Sequence, residues 1–246
     1  MSAAVVVQAR LNSTRLFGKT LLELSGKPIL EHVLRRCSAI PGIDVVVCAV
    51  PDLAESDRLI TVAERCAAVV VRGPETDVLA RYLLAAEAVR ADVVMRITSD
   101  CPLIDPLICA RVLDLRAQRR VAYACNNLPP SFPHGLDCEA MTIDALRKAA
   151  ETARKLAERE HVTPWLREMP QVNRANLVCE DATLRQHRWT LDYPADLAFF
   201  RALFSHFNEN AMPSMYEVLD VIAAHPEISK INAMHRADNS RLIEEK

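Results

Sequence analysis

Val5-Val6-Val7-Gln8-Ala9-Arg10-Leu11-Asn12-Ser13-Thr14-Arg15-Leu16-Phe17-Gly18-Lys19 passes from a β-branched run straight into a segment with three cations and two hydroxyls. An apolar run without alternation reads as a strand buried on both faces, as a parallel sheet covered by helices requires. In the loop that follows, Arg10, Arg15 and Lys19 can donate charge-assisted hydrogen bonds to phosphate oxygens. Gly18 permits a turn that a Cβ would oppose. Taken alone, the same residues also describe a solvated basic surface.

Working outward, comparable runs recur at Asp44–Val50, Ala68–Val71, Asp92–Ile97 and Val121–Cys125. Amphipathic segments at Pro28–Cys37, Ala54–Cys66, Asp77–Val89 and Pro106–Arg119 separate them, so the pattern predicts an α/β chain with a three-layer, mainly parallel Rossmann-like sheet. In the first of these helices Ile29, Val33 and Leu34 share a face opposite Arg35 and Arg36, and Pro28 suits the first turn. Beyond residue 126 the winding changes. A Pro-punctuated loop, Leu128–Gly135, precedes a predicted strand at Leu136–Met141 and helices at Ile143–Ala157 and His161–Glu168. Further strands are expected at Val172–Val178 and Arg188–Leu191, and closing helices at Pro194–Phe207 and Ser214–Ala224. The chain reads as one domain of 1–246 with a mixed inserted segment.

A net charge of −2 over 246 residues argues against a general nucleic-acid footprint, so a phosphate ligand would need a local pocket. No apolar run approaches the roughly 20 residues that cross a bilayer, and Met1–Arg10 lacks the marks of a signal peptide, so the expectation is a cytoplasmic protein without a membrane partner. The eight cysteines form no C-x-x-C pair and read as buried thiols. Gln8-Ala9-Arg10-Leu11-Asn12-Ser13 stands where a nicotinamide-dependent oxidoreductase would carry G-x-G-x-x-G.

Open sheets of this kind bind ligands beyond the carboxyl ends of their strands. Arg10, Arg72, Ser99 with Asp100, Asn126 with Asn127, and Asp192 each follow or close a predicted strand. Polyphosphate needs a divalent cation, and Mg²⁺ favours one or two carboxylates, which makes Asp100 and Asp192 metal candidates. Both also precede a proline-started helix and can be read as caps. Asp77 either serves the site or pairs with Arg81 one turn on. Asp137 and Glu139, two apart on a predicted strand, share a face and either bind a substrate or a second metal or form a solvated edge. Arg159 and His161 either orient a substrate carboxylate or sit at a polar helix junction.

These motifs occur in one order: the basic loop, Arg72-Gly73 with Asp77 and Arg81, Arg96-Ile97-Thr98-Ser99-Asp100-Cys101-Pro102-Leu103-Ile104-Asp105-Pro106, Gly135-Leu136-Asp137, Arg159-Glu160-His161-Val162-Thr163-Pro164, and Trp189-Thr190-Leu191-Asp192. As an ordered set they resemble the cytidylyltransferase family of spore-coat polysaccharide biosynthesis proteins, relatives of the acylneuraminate and 3-deoxy-manno-octulosonate cytidylyltransferases. The resemblance implies a nucleotide-diphospho-sugar transferase fold, CTP as donor, Mg²⁺, and transfer of CMP to an acidic sugar or similar acceptor in surface polysaccharide biosynthesis, with release of pyrophosphate. It places Arg10, Ser13, Arg15 and Lys19 at the triphosphate, Arg72 near the base and ribose, and Asp100 and Asp192 at the metal. Joined to the residue reading, it leaves as candidates Gln8, Ala9, Arg10, Ser13, Arg15, Lys19, Arg72, Asp77 and Ser99 for the nucleotide, Arg10, Lys19 and Asp100 for catalysis, and Asn126, Asp137, Glu139, Arg159 and His161 for the acceptor. It further implies a homodimer, with the nucleotide on residues 1–127, acceptor and partner on 128–187, and a closing part at 188–246. Phe17 replaces a usual Pro and Asn12 a common Gly, and neither change removes a ligand. The alternatives are a glycosyltransferase of related fold, disfavoured because Cys101-Pro102 follows Asp100 where a D-x-D would continue, and a non-catalytic nucleotide-binding protein.

Overall fold

In the computed structural model, which describes residues 1–13 and 15–236, the opening apolar run forms the central strand β1 (Ala3–Gln8). Its lack of alternation has a direct cause. Val5 and Val7 enter one hydrophobic cluster and Ala4 and Val6 another, on opposite faces of the sheet. The other strands are β2 (Val45–Pro51), β3 (Val69–Gly73), β4 (Val93–Thr98), β5 (Tyr123–Cys125), β6 (Glu139–Thr142) and β7 (Arg174–Asn176). They form a seven-stranded sheet in the order β3-β2-β1-β4-β6-β5-β7. The pairs β1–β2, β1–β4, β2–β3 and β5–β7 are parallel, and only β6 runs against its neighbours.

Helices α1 (Ile29–Ser38), α2 (Asp57–Arg65) and α4 (Pro106–Arg119) cover the face of Val5 and Val7. The opposite face carries α3 (Val78–Ala88) and α5 (Ile143–Thr152). Tyr82 pins α3 to the sheet by donating its hydroxyl towards the carbonyls of Val6 (3.2 Å) and Ile97 (3.3 Å). The result is the expected three-layer α/β architecture. Short helices α6 (Leu156–His161) and α7 (Pro164–Glu168) follow. Then α8 (Pro194–Phe204) and α9 (Met215–Ala224) close a third cluster that holds Phe132, Leu136, Trp189 and Phe200.

Several elements differ from expectation, the first two below because a tertiary contact decides them. The strand expected from Leu136 begins only at Glu139, since residues 136 and 138 bond to a side chain: Asn126 Nδ2 donates to the Leu136 carbonyl at 2.7 Å, and the Cys138 amide donates to Asn126 Oδ1 at 3.0 Å. Asp137 and Glu139 therefore do not share a strand face. Residues 188–191 are extended but join no sheet, because their amides turn to the loops: Trp189 donates to the His134 carbonyl (2.6 Å) and Leu191 to that of Asp100 (2.9 Å). The long helix expected to Ala157 stops at Thr152, where Ala153 is extended and Glu158 accepts the amides of Arg154 and Lys155 at 2.9 and 3.0 Å. A two-residue hairpin, Glu23–Leu24 with Lys27–Pro28, lies where no strand was expected.

Candidate active site at the carboxyl ends of the strands

Gly18, at φ 64°, turns the loop after β1 into a 3-10 turn at Lys19–Leu21 and aims Lys19 across the strand ends. Its ammonium donates to Asp100 Oδ2 at 2.7 Å and to Asp192 Oδ1 at 2.8 Å, while Arg15 meets the same Asp192 oxygen at 2.9 Å. Two carboxylates 92 positions apart thus converge on one cation. The convergence is built by backbone: Asp100 follows β4, and its carbonyl accepts the Leu191 amide, which sets Asp192 beside it. Gly135 completes the junction, since its backbone lies so near Trp189 that an added Cβ would stand 2.2 Å from the Trp189 carbonyl oxygen.

Neither carboxylate caps a helix. Asp105 caps α4, accepting the amides of Leu107 (2.9 Å) and Ile108 (3.3 Å). The first turn of α8 is served by Asp196, which accepts the amides of Asp192 and Tyr193, both at 2.9 Å. Asp100 and Asp192 therefore face cations instead. Arg188, buried, steadies the arrangement from behind: it bonds Asp196 at 2.9 and 3.0 Å and reaches Asp192 Oδ2 at 3.3 Å. Tyr193 stacks under both arginines, with guanidinium carbons 5.4 Å (Arg15) and 5.6 Å (Arg188) from its ring centre.

Burial opposes charge on Lys19, yet Asp100 and Asp192 outweigh it and hold the ammonium above its ordinary pKa. Burial likewise opposes the Asp100 carboxylate, and the charge and hydrogen bond of Lys19 outweigh it, so Asp100 is held well below the usual carboxylate range. The donor set suits a hard divalent cation, since two carboxylate oxygens are already gathered about one positive charge. Among the described residues no group of three or more His, Cys, Asp or Glu side chains is placed to hold a metal ion.

A family model for cytidylyltransferases matches residues 4–215. The chain belongs to the cytidylyltransferase family. It is 28% identical to the spore coat polysaccharide biosynthesis protein SpsF of Bacillus subtilis, over 90% of this chain and 94% of that protein. A solved cytidylyltransferase from Leptospira borgpetersenii is 30% identical, with a TM-score of 0.87 over 93% of this chain and 97% of that one. The synthetase of CMP and 2-keto-3-deoxy-manno-octonic acid, solved with CTP, shares the fold at a TM-score of 0.64 and 19% identity over 84% of this chain and 99% of that one.

Within this cytidylyltransferase the remaining candidates fall into two groups. Around the first, Gln8 ends β1 with its side-chain oxygen buried and unpartnered, Ala9 and Ser99 are buried, and Ser13 is half-buried in the loop. Arg10 is exposed and meets Glu160 at 3.4 Å, which joins the basic loop to α6. Asp77 caps α3 through the Ala80 amide (3.0 Å) and binds Arg159, so it does not pair with Arg81. Arg81 is buried and donates to the carbonyls of Pro74 and Glu75, fixing the loop after β3. Arg72 lies on β3 and bonds Asp57 and the Leu53 carbonyl. The second group spans β6, α6 and the 134–139 loop. Asn126 and Glu139 are each 1% exposed, the former clamping residues 136–138 and the latter bound to Arg96 (2.6 Å) and Tyr123. Arg159 gives its guanidinium to Asp77 and the Ala150 carbonyl (2.7 Å), while His161 is exposed at the end of α6. Asp137 faces His134 at 3.3 Å.

Sequence reading missed Arg188, Tyr193 and Asp196. Their one signal was Arg188, Asp192 and Asp196 at spacings of four around an apolar stretch. All eight cysteines are free thiols, seven of them buried. No helix of the described residues is long and apolar enough to cross a membrane.

Proposed function

We propose that this cytidylyltransferase transfers CMP from CTP to an acidic sugar in surface polysaccharide biosynthesis, releasing pyrophosphate, with Mg²⁺ held by Asp100 and Asp192. The observation that carries the reading is the Lys19 ammonium gathered between two carboxylates that no helix cap uses. The names of the relatives, spore coat polysaccharide biosynthesis and CMP-2-keto-3-deoxy-manno-octonate synthesis, support the acceptor class.

Arg10, Arg15 and Lys19 would grip the β- and γ-phosphates, with Lys19 exchanging its carboxylate partners for phosphate oxygens as the nucleotide enters. The metal, when bound, supplies positive charge at the α-phosphate. Arg188 keeps the Asp192 carboxylate oriented throughout. An acceptor oxygen attacks the α-phosphorus in line, and the basic loop neutralises the departing pyrophosphate, so the protein contributes position and electrostatics and forms no covalent intermediate.

Asp100→Asn tests this directly. Pyrophosphate release should fall by about 10² to 10³-fold, in line with loss of one electrostatic contact at the reacting centre, while calorimetry shows CTP still bound. Turnover near the wild-type value in this variant would overturn the metal assignment.

A further inference from the structure

Attack by a hydroxyl needs a proton acceptor, and none of the residues above provides one. Asp100 and Asp192 are committed to cations, and Arg10, Arg15 and Lys19 are donors. Beside the site lies a pair of titratable groups that neither the metal nor the phosphates would engage, His134 and Asp137, with Nδ1 3.3 Å from Oδ2. Both side chains are partly open, at 28% and 29% exposure.

The loop that carries them is sewn to the segment that carries Asp192. The His134 amide donates to the His187 carbonyl at 3.0 Å, its carbonyl accepts from Trp189 at 2.6 Å, and Gly135 lies against Trp189 and Thr190. Asp137 is itself fixed, accepting the Gly135 amide at 3.0 Å. At 3.3 Å from Asp137 Oδ2, Nδ1 is the nitrogen that a neighbouring carboxylate favours for the proton; in that tautomer the lone pair of the neutral ring is on Nε2, where no hydrogen bond from the described residues engages it. The charged groups that act on the ring are Asp137, Arg188 and Asp100.

We propose that His134, oriented by Asp137, is the general base of the transfer, and that the acceptor is therefore a hydroxyl. The inference rests on the transferase reading above. In the step, the acceptor O–H bond breaks and its proton passes to Nε2. The oxygen forms a bond to the α-phosphorus, the bond to the β-phosphate oxygen breaks, and pyrophosphate leaves with that electron pair. The imidazolium then returns its proton to water. A sugar hydroxyl is protonated at neutral pH and needs such a base, whereas a phosphate or phosphonate oxygen arrives ionised and does not. Burial pulls the imidazole down, Asp137 outweighs it with Asp100 assisting and Arg188 opposing, and His134 ends above its ordinary pKa. That makes it a stronger base once deprotonated, and turnover should lose rate on the acid side as the ring protonates.

The test measures pyrophosphate release from CTP and Mg²⁺ against pH, with N-acetylneuraminate, 3-deoxy-manno-octulosonate and methylphosphonate as acceptors, for wild type, His134→Gln and Asp137→Asn. His134→Gln should lower kcat about 10² to 10⁴-fold with a sugar acid, leave the KM for CTP within a few-fold, and abolish the acid limb. Asp137→Asn should move that limb to lower pH. A ring titration by NMR should place the His134 pKa above the ordinary imidazole value in the wild type and lower it in Asp137→Asn, whatever the turnover. The proposal is overturned if His134→Gln keeps wild-type turnover and acid limb, if methylphosphonate alone is used, or if the NMR pKa ignores Asp137→Asn. Wild type that binds CTP but releases pyrophosphate with none of the three overturns the transferase reading itself, and the base with it.

Discussion

At residue 135 the backbone sits at φ 108° and presses on the Trp189 carbonyl, so both conformation and space demand glycine. Gly135→Ala must push the 134–137 loop away from the segment that sets Asp192. The expected outcome is a thermal midpoint lowered by several degrees and pyrophosphate release reduced at least tenfold, read by thermal shift and by turnover of the same sample. A variant with an unchanged midpoint would show that the two loops are not locked together. Lys19 was legible as one of three cations in a strand-end loop, although the same residues also describe a solvated surface, and its meeting with two carboxylates was not legible. Asp100 and Asp192 were legible as a choice between cap and metal ligand, and the basic loop tipped that reading towards the metal. That neither is a cap depended on Asp105 and Asp196 taking the helix amides, which only the folded chain decides.

Among the elements, those buried on both faces were the ones a sequence could announce: β1, β2 and β4 are runs of Val, Ile and Ala because helices cover each side. Strand β6 was legible as a strand but not in its place or extent. It inserts antiparallel between β4 and β5, with Glu139 directly opposite Arg96, a pairing set by two residues 43 apart. Burial opposes the Glu139 carboxylate, and the charges of Arg96 and Arg167 outweigh it, so its folded pKa lies below the ordinary 4.5. A depressed carboxylate stabilises the fold above its unfolded pKa and loses that contribution as pH falls through the folded value. Glu139→Gln, which leaves the half-buried Arg96 without its counter-charge, should cost about 3 kcal/mol at neutral pH by denaturant unfolding. The gap to wild type should narrow below pH 4.5 as the native carboxyl protonates. A gap independent of pH would mean that packing, not the ion pair, fixes β6.

Over the whole molecule, the sheet gathers at one edge what the chain keeps far apart. Residues 15 and 19 follow the first strand, 100 the fourth, and 134–137 and 188–192 belong to loops that meet across the end of the sheet. With a net charge of −2 there is no large excess of positive charge to spread over the surface, so the charge of Arg15 and Lys19 acts locally, where it faces two carboxylates. The measurement that tests this account most directly is ³¹P NMR of the full chain with Mg²⁺ and each of CTP, UTP, ATP and GTP, with 3-deoxy-manno-octulosonate and N-acetylneuraminate as acceptors. The account predicts pyrophosphate and a CMP–sugar phosphodiester, formed in equal amounts from CTP. CTP bound but left intact with both acceptors, or a different nucleotide consumed in its place, would contradict it.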